Sequence, residues 1–118
     1  MAGFVIDDPQ NFGLKARVLL RVIGPALTDQ GIAQPLADPV LTLYNSVGEV
    51  LRAIDNWSDD ADAIALAATM QEVGAFALAP DSLDAAVVLD LPAGAYTLTA
   101  TSADGSAGIA LLEIYLVR

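Results

Sequence analysis

The chain has 118 residues, 55% of them hydrophobic, and carries 15 acidic against 5 basic residues, for a net charge of −10. This length and apolar content predict one folded domain over residues 1–118 and argue against a disordered chain. Nucleic acid and anionic membrane surfaces are not expected partners, because both are bound through clustered Lys and Arg. The absence of Cys and His excludes thiol nucleophiles, Cys/His zinc sites and imidazole catalysis.

The N-terminal segment predicts a short strand on a flexible connector. Residues 2–6 read AGFVI, an apolar run, and residues 7–14 contain the Asp, Pro, Asn and Gly that are typical of a loop. A strand joined in this way can pair with its own sheet or with the sheet of a neighbour. The candidate interaction residues of this strand are Gly3, Phe4, Val5 and Ile6.

Residues 17–23, RVLLRVI, predict a second strand with two distinct faces. We expect Arg17 and Arg21 to point outward or towards a partner. They are either solvated or salt-bridged side chains, or a patch that binds an acidic neighbouring copy. The predicted core face consists of Val18, Leu20 and Val22.

The clearest fold signal is a hairpin over residues 38–57. Residues 40–44 are β-branched, aromatic and roughly alternating, residues 45–48 read NSVG and form the turn, and residues 49–55 run back as a second strand. The hairpin ends in two turn formers and the only Trp, Trp57.

One short helix is predicted over about residues 59–73, where apolar residues recur at helical spacing. Ser58 is its expected N-cap and Gly74 its expected C′ residue. Phe76 and Leu78 are expected to return to the core. Three further strands are predicted at residues 85–91, 95–102 and 107–117, the last with Ala110, Leu112, Ile114 and Leu116 on its core face.

These elements predict an all-β fold, a jelly-roll-like β-sandwich of about seven to eight strands with one short helix. No apolar run reaches the roughly 18 residues that a membrane helix needs, so no membrane insertion is expected. The first residues also lack the features of a signal peptide. The chain is either a cytosolic protein or an excised mature segment with an added Met, and we favour the second interpretation.

An acidic cluster is the best candidate metal site. Carboxylate and amide oxygens gathered in a turn are typical calcium ligands, although no Asp-x-Asp-x-Asp-Gly loop is present. The alternative is that these side chains cap the helix and line a solvated turn. The cluster consists of Asp55, Asn56, Asp59, Asp60 and Asp62.

Catalysis is not expected. Paired carboxylates could serve glycoside hydrolysis, but nothing in the sequence indicates a cleft or an acid of raised pKa. The serines have no His partner and no Gly-x-Ser-x-Gly context. Trp57 is either a sugar-stacking side chain or part of the core, and the tyrosines are expected to fill the core with the hydroxyl at its rim.

Four segments together are similar to bacterial pre-peptidase C-terminal-type domains: residues 38–51 (DPVLTLYNSVGEVL), 55–57 (DNW), 91–98 (LPAGAYTL) and 108–115 (GIALLEIY). With residues 2–6 and 17–27 added, the chain resembles more closely an accessory domain of large secreted or surface proteins of environmental bacteria. The likeness covers nearly the whole chain, although residues 7–14 are longer and more polar than is typical.

The resemblance implies an extracellular β-sandwich that acts as an accessory module and not as a catalytic domain. Some members of the group bind calcium near the Asp-rich turn, but no complete ligand pattern transfers residue by residue. We therefore expect a structural or interaction module that self-assembles through its terminal strands, with itself or neighbouring domains of a secreted protein as partner. The alternative is a carbohydrate-binding module whose loops are shaped by calcium.

Overall fold

The computed structural model describes residues 1–8, 10, 12–59 and 62–117. Within these ranges lie a helix, α1 (Ala63–Glu72), and short 3₁₀ helices at Pro25–Gln30 and Trp57–Asp59. The strands are β1 (Ala2–Ile6), β2 (Lys15–Ile23), β3 (Pro39–Tyr44), β4 (Val50–Ile54), β5 (Ala85–Pro92), β6 (Gly94–Ser102) and β7 (Leu111–Val117).

The strands form two antiparallel sheets that pack as a sandwich, so the predicted all-β sandwich is confirmed. One sheet has the order β1-β6-β3-β4 and the other β5-β2-β7. Across the sandwich β6 contacts β7, β2 contacts β3, and β5 contacts β3 and β4. Because the first sheet has one strand more, β1 overhangs the edge formed by β7.

The core between the sheets contains the predicted face of β2. Val18, Leu20 and Val22 are buried there against Leu41 and Leu43 of β3. Leu98 and Tyr96 of β6 complete this layer. Burial of one such aliphatic side chain contributes roughly 1.5–3 kcal/mol, so this layer supplies much of the stability.

A second apolar layer covers the other face of β2, whose arginines the sequence analysis expected to point outward or towards a partner. Leu19 and Ile23 pack there with Trp57, and with Leu66 and Met70 of α1. The predicted outward face is therefore wrong, because β2 is the central strand of its sheet and α1 covers that sheet from outside. A strand buried on both faces reads as a nearly continuous apolar run, as RVLLRVI does.

The helix is shorter than the predicted 59–73. It starts at Ala63, with Asp62 before it making no side-chain cap hydrogen bond, and Ser58 lies in the 3₁₀ helix and is not the N-cap. Its C-terminal end follows the prediction: Gly74 has φ 78°, the left-handed conformation that favours glycine after a helix. No helix in the described part of the chain is long and apolar enough to cross a membrane.

The first strand pairs within its own chain. β1 runs antiparallel to β6 with Phe4 opposite Tyr96, and their rings stack with centroids 5.4 Å apart. In the connector that follows, the Asp8 carboxylate accepts hydrogen bonds from the backbone N–H groups of Phe12, Gly13 and Leu14. These hydrogen bonds hold residues 12–14 next to Asp8.

The last strand starts at Leu111 and not at residue 107. Before it, the chain pairs with a distant segment instead: Leu36 N donates to Ile109 O at 2.7 Å, and Ile109 N to Gln34 O at 2.9 Å. A Cβ on Gly108 would lie 2.6 Å from Leu36 N, so only glycine permits this approach. The contact with residues 34–36 therefore sets where β7 begins.

Candidate functional site

Two of the four sheet edges present no exposed charged side chain. The edge strands are β1 and β4 in one sheet and β5 and β7 in the other. An edge strand can pair with another chain, and charged side chains are a common protection against such pairing. β4 carries Arg52 and β5 carries Asp90, whereas β1 has no charged residue and β7 has only Glu113.

The β7 edge exposes large aliphatic side chains on both faces. Its register with β2 puts Ile114 and Leu116 on the side of the sandwich core, opposite Leu20 and Val18. They nevertheless remain 38% and 52% exposed, because β7 has no further strand beside it. The predicted core face of β7 is thus covered only at Ala110 and Leu112. On the other face Leu111 is also exposed.

The one charge on β7 is neutralised inside the domain. Arg21 Nε donates to Glu113 Oε1 at 2.8 Å, and the Tyr115 hydroxyl donates to Glu113 Oε2 at 2.7 Å. Burial raises the pKa of Tyr115, and the bond to Glu113 raises it further. The Glu113 carboxylate therefore does not act as a free charge at the edge.

Arg21 is an internal residue, so its predicted place on the outside or against a partner is wrong. Its side chain is fully buried, Nη1 donates to Phe76 O at 2.7 Å, and the guanidinium lies 4.5 Å from the centre of the Phe76 ring. The alternation of β2 places Arg21 on the α1 side, where the chain after the helix covers it. Phe76 and Leu78 return to this layer as predicted.

Arg17 is at the surface, as predicted, and forms an ion pair with Asp90 at 2.9 Å. The hydrogen bond from Arg17 lowers the pKa of Asp90. Both residues line an open cleft beside α1, together with Arg52 and Asp62. Since two cations and two carboxylates share this cleft, its charge selects neither an anion nor a cation.

The described members of the predicted calcium cluster have different surroundings in the structure. Asp59 is exposed in the 3₁₀ helix, Asp62 lines the cleft with Arg17, and Asn56 is half-buried with an unpartnered Oδ1. Asp60 lies outside the described residues. Within the described ranges no three acidic side chains come together in an arrangement that could hold a metal.

The Asp55 side chain interacts instead with a carboxylate outside the predicted cluster, that of Asp38. Burial raises the pKa of Asp38, and a hydrogen bond with Asp55 and the charge of Asp104 raise it further. Asp104 accepts hydrogen bonds from the hydroxyls of Ser106 and Ser102, which lower its pKa to about 2. Asp38, Asp55 and Asp104 lie at the same corner of the sheet, because β3 begins, β4 ends and β6 ends there. These three described carboxylates nevertheless form no arrangement that could hold a metal.

The aromatic side chains with polar atoms are mostly internal. Trp57 is buried and its Nε1 donates to Ala79 O at 3.0 Å. The Tyr96 hydroxyl donates to Pro92 O at 2.6 Å, and burial raises its pKa. Tyr115 is bound to Glu113 on the face that α1 covers, and Tyr44 is half-buried on the outer face of the other sheet.

The sequence analysis missed one buried carboxylate. Asp84 Oδ1 accepts from the N–H groups of Gly24, at 2.7 Å, and Ala26, at 3.3 Å, and the Ser82 hydroxyl donates to its other oxygen. Asp84 thereby joins the start of β5 to the turn after β2. The residues before β5 read as an ordinary turn, and no local signal indicates partners so far away in the chain.

Comparisons with protein-family models, with curated proteins and with solved structures find no match to this chain. The likeness to pre-peptidase C-terminal-type domains therefore stays a prediction that rests on the four segments quoted above.

Proposed function

We propose that this chain is a non-catalytic structural or interaction module that associates with further copies of itself through the edge of a terminal strand. The observation that carries the proposal is the distribution of charge over the sheet edges. The edges β4 and β5 carry the exposed side chains Arg52 and Asp90. β1 has no charged residue, and the one charged residue of β7, Glu113, is mostly buried.

The mechanism is the addition of a strand to an open sheet edge. The unpaired N–H and C=O groups of the edge bond to the incoming strand, and apolar side chains are buried beside it. Val5 on β1 and Leu116 on β7 are both exposed aliphatic side chains that such pairing would cover. An extracellular or cell-surface location stays a prediction from the resemblance.

Carbohydrate binding assisted by calcium has less support. A sugar-binding face needs exposed aromatic rings, but Trp57 and Tyr96 are buried and hydrogen-bonded inside the domain. The mixed charges beside α1 do not favour a cation either. A glycan array and a calcium titration of the melting temperature should both show no response.

Sedimentation equilibrium over a wide concentration range, with and without calcium, tests the proposed function. We expect reversible association that does not depend on calcium. Two variants locate it: Val5→Lys adds a charge to β1, and Ile114→Lys adds one to β7. One of them should abolish association, and Val47→Lys in the exposed β3–β4 turn should retain it. A chain that stays monomeric at every concentration contradicts the proposal.

A further inference from the structure

We propose that the partner is a second copy of this chain, paired antiparallel along β7, with a two-fold axis at Ile114. The two three-stranded sheets would then form one continuous six-stranded sheet. This inference rests on the proposed function and specifies its surface, its symmetry and its register.

The exposed side chains favour β7 over β1 as the paired edge. On β7 the residues exposed to solvent include Leu111, Ile114 and Leu116, which are among the largest aliphatic side chains. On β1 the inward side chains, such as Phe4, already pack against the core, and the outward ones are Gly3 and Val5. Pairing along β7 would therefore remove more apolar surface from water.

The charge distribution allows a copy of the same chain to bind at this edge. Two copies that each carry a net charge of −10 repel one another wherever their carboxylates face. At β7 the only carboxylate, Glu113, is held by Arg21 at 2.8 Å and by the Tyr115 hydroxyl. A second acidic chain can therefore approach this edge without placing free negative charges together.

The register follows from the faces of the strand. In a continuous antiparallel sheet, opposite residues point to the same side, so the two-fold axis must coincide with a residue. An axis at Glu113 places two glutamates opposite each other, which is destabilising. An axis at Tyr115 leaves Leu111 and Leu112 unpaired. An axis at Ile114 pairs the whole of β7, with Glu113 opposite the partner's Tyr115.

The size of the contact predicts a weak dimer. Seven paired residues form an edge about 24 Å long at the usual rise of a strand. Such a contact lies at the small end of specific interfaces, below roughly 1,200 Å² of total buried surface. Because β1 extends beyond β7, it would also cover part of the added strand on the core side of the sheet. We therefore expect an equilibrium between monomer and dimer that shifts with concentration.

Single-cysteine variants test the register directly, because the chain contains no other Cys. Opposite residues in an antiparallel pair have Cα atoms about 4.5–5.5 Å apart, which suits a disulfide. Ile114→Cys should therefore give a disulfide-linked dimer under mild oxidation. Leu112→Cys is the matched control, since the axis separates its two copies by about 14 Å along the strand.

Two further readouts make every outcome decisive. The double variant Leu112→Cys/Leu116→Cys should cross-link where Leu112→Cys alone does not, and it replaces Ile114→Cys if that variant does not fold. If the wild type associates but neither variant cross-links faster than Leu112→Cys, the register and surface are overturned and the proposed function stands. If the wild type never associates, both fail.

Discussion

The Arg21–Glu113 pair is the residue-scale feature on which the central strand depends. Arg21 is fully buried, whereas the Glu113 side chain retains 16% exposure. A buried charge is tolerated only while its partners are in place, and Arg21 Nη2 has no hydrogen-bond partner. The remaining contacts, to Glu113 and to Phe76, therefore have to compensate for the whole cost of burying the guanidinium.

Removal of Glu113 alone should be strongly destabilising. We expect Glu113→Ala to lower the free energy of unfolding by about 3–5 kcal/mol, because the buried Arg21 loses its counter-charge. The double variant Arg21→Met/Glu113→Leu should recover most of this loss, since an apolar pair needs no partner. Urea denaturation at a concentration that keeps the chain monomeric measures both.

Asp90→Ala is the matched control for this prediction. It removes the partner of Arg17, but both side chains of that pair are more than half exposed, so stability should hardly change. If Glu113→Ala is no more destabilising than Asp90→Ala, the buried pair does not have the role assigned to it.

At the scale of elements, the sequence predicted those whose determinants are local. The β3–β4 hairpin follows from an NSVG turn in which Gly48 has φ 85°, and the end of α1 follows from Gly74. The start of β7 at Leu111 could not be predicted, because it depends on residues 34–36, which lie far away in the chain. The burial of both faces of β2 likewise depends on α1, which no local pattern places over that sheet.

Gly108 should be the most sensitive glycine near β7. An Ala there would place Cβ 2.6 Å from Leu36 N and 2.7 Å from Pro35 C, so the backbone must shift. We expect Gly108→Ala to lower the free energy of unfolding by about 3 kcal/mol. Thermal unfolding followed by circular dichroism measures the change.

Gly105→Ala separates this steric effect from conformational strain. Gly105 has φ 78°, but an added Cβ meets nothing within 4 Å, so only about 1 kcal/mol should be lost. Equal losses in the two variants would show that the close approach of residues 34–36 does not constrain the start of β7.

At the scale of the whole molecule, the candidate site was predicted in part. The sequence shows that both terminal strands are mostly apolar, but not that Arg21 neutralises Glu113 of β7 or that both strands lie at sheet edges. The predicted role of Arg21 failed because the sequence does not show that α1 and Phe76 cover it. The sequence analysis did not predict the contact of Asp55 with Asp38, because this contact depends on where two strands end in space.

The response of self-association to salt distinguishes an apolar edge from an ion-paired contact. Each copy carries a net charge of −10, so long-range repulsion opposes association at low ionic strength. The Debye length falls from about 30 Å at 0.01 M to about 3 Å at 1 M salt. For pairing along β7, added NaCl should therefore strengthen association.

If Arg17 instead docked on acidic residues of the neighbour, NaCl should weaken association, and Arg17→Gln should abolish it. Sedimentation equilibrium of the wild type and of Arg17→Gln at both salt concentrations decides between these contacts, and association that weakens with salt would contradict the β7 edge.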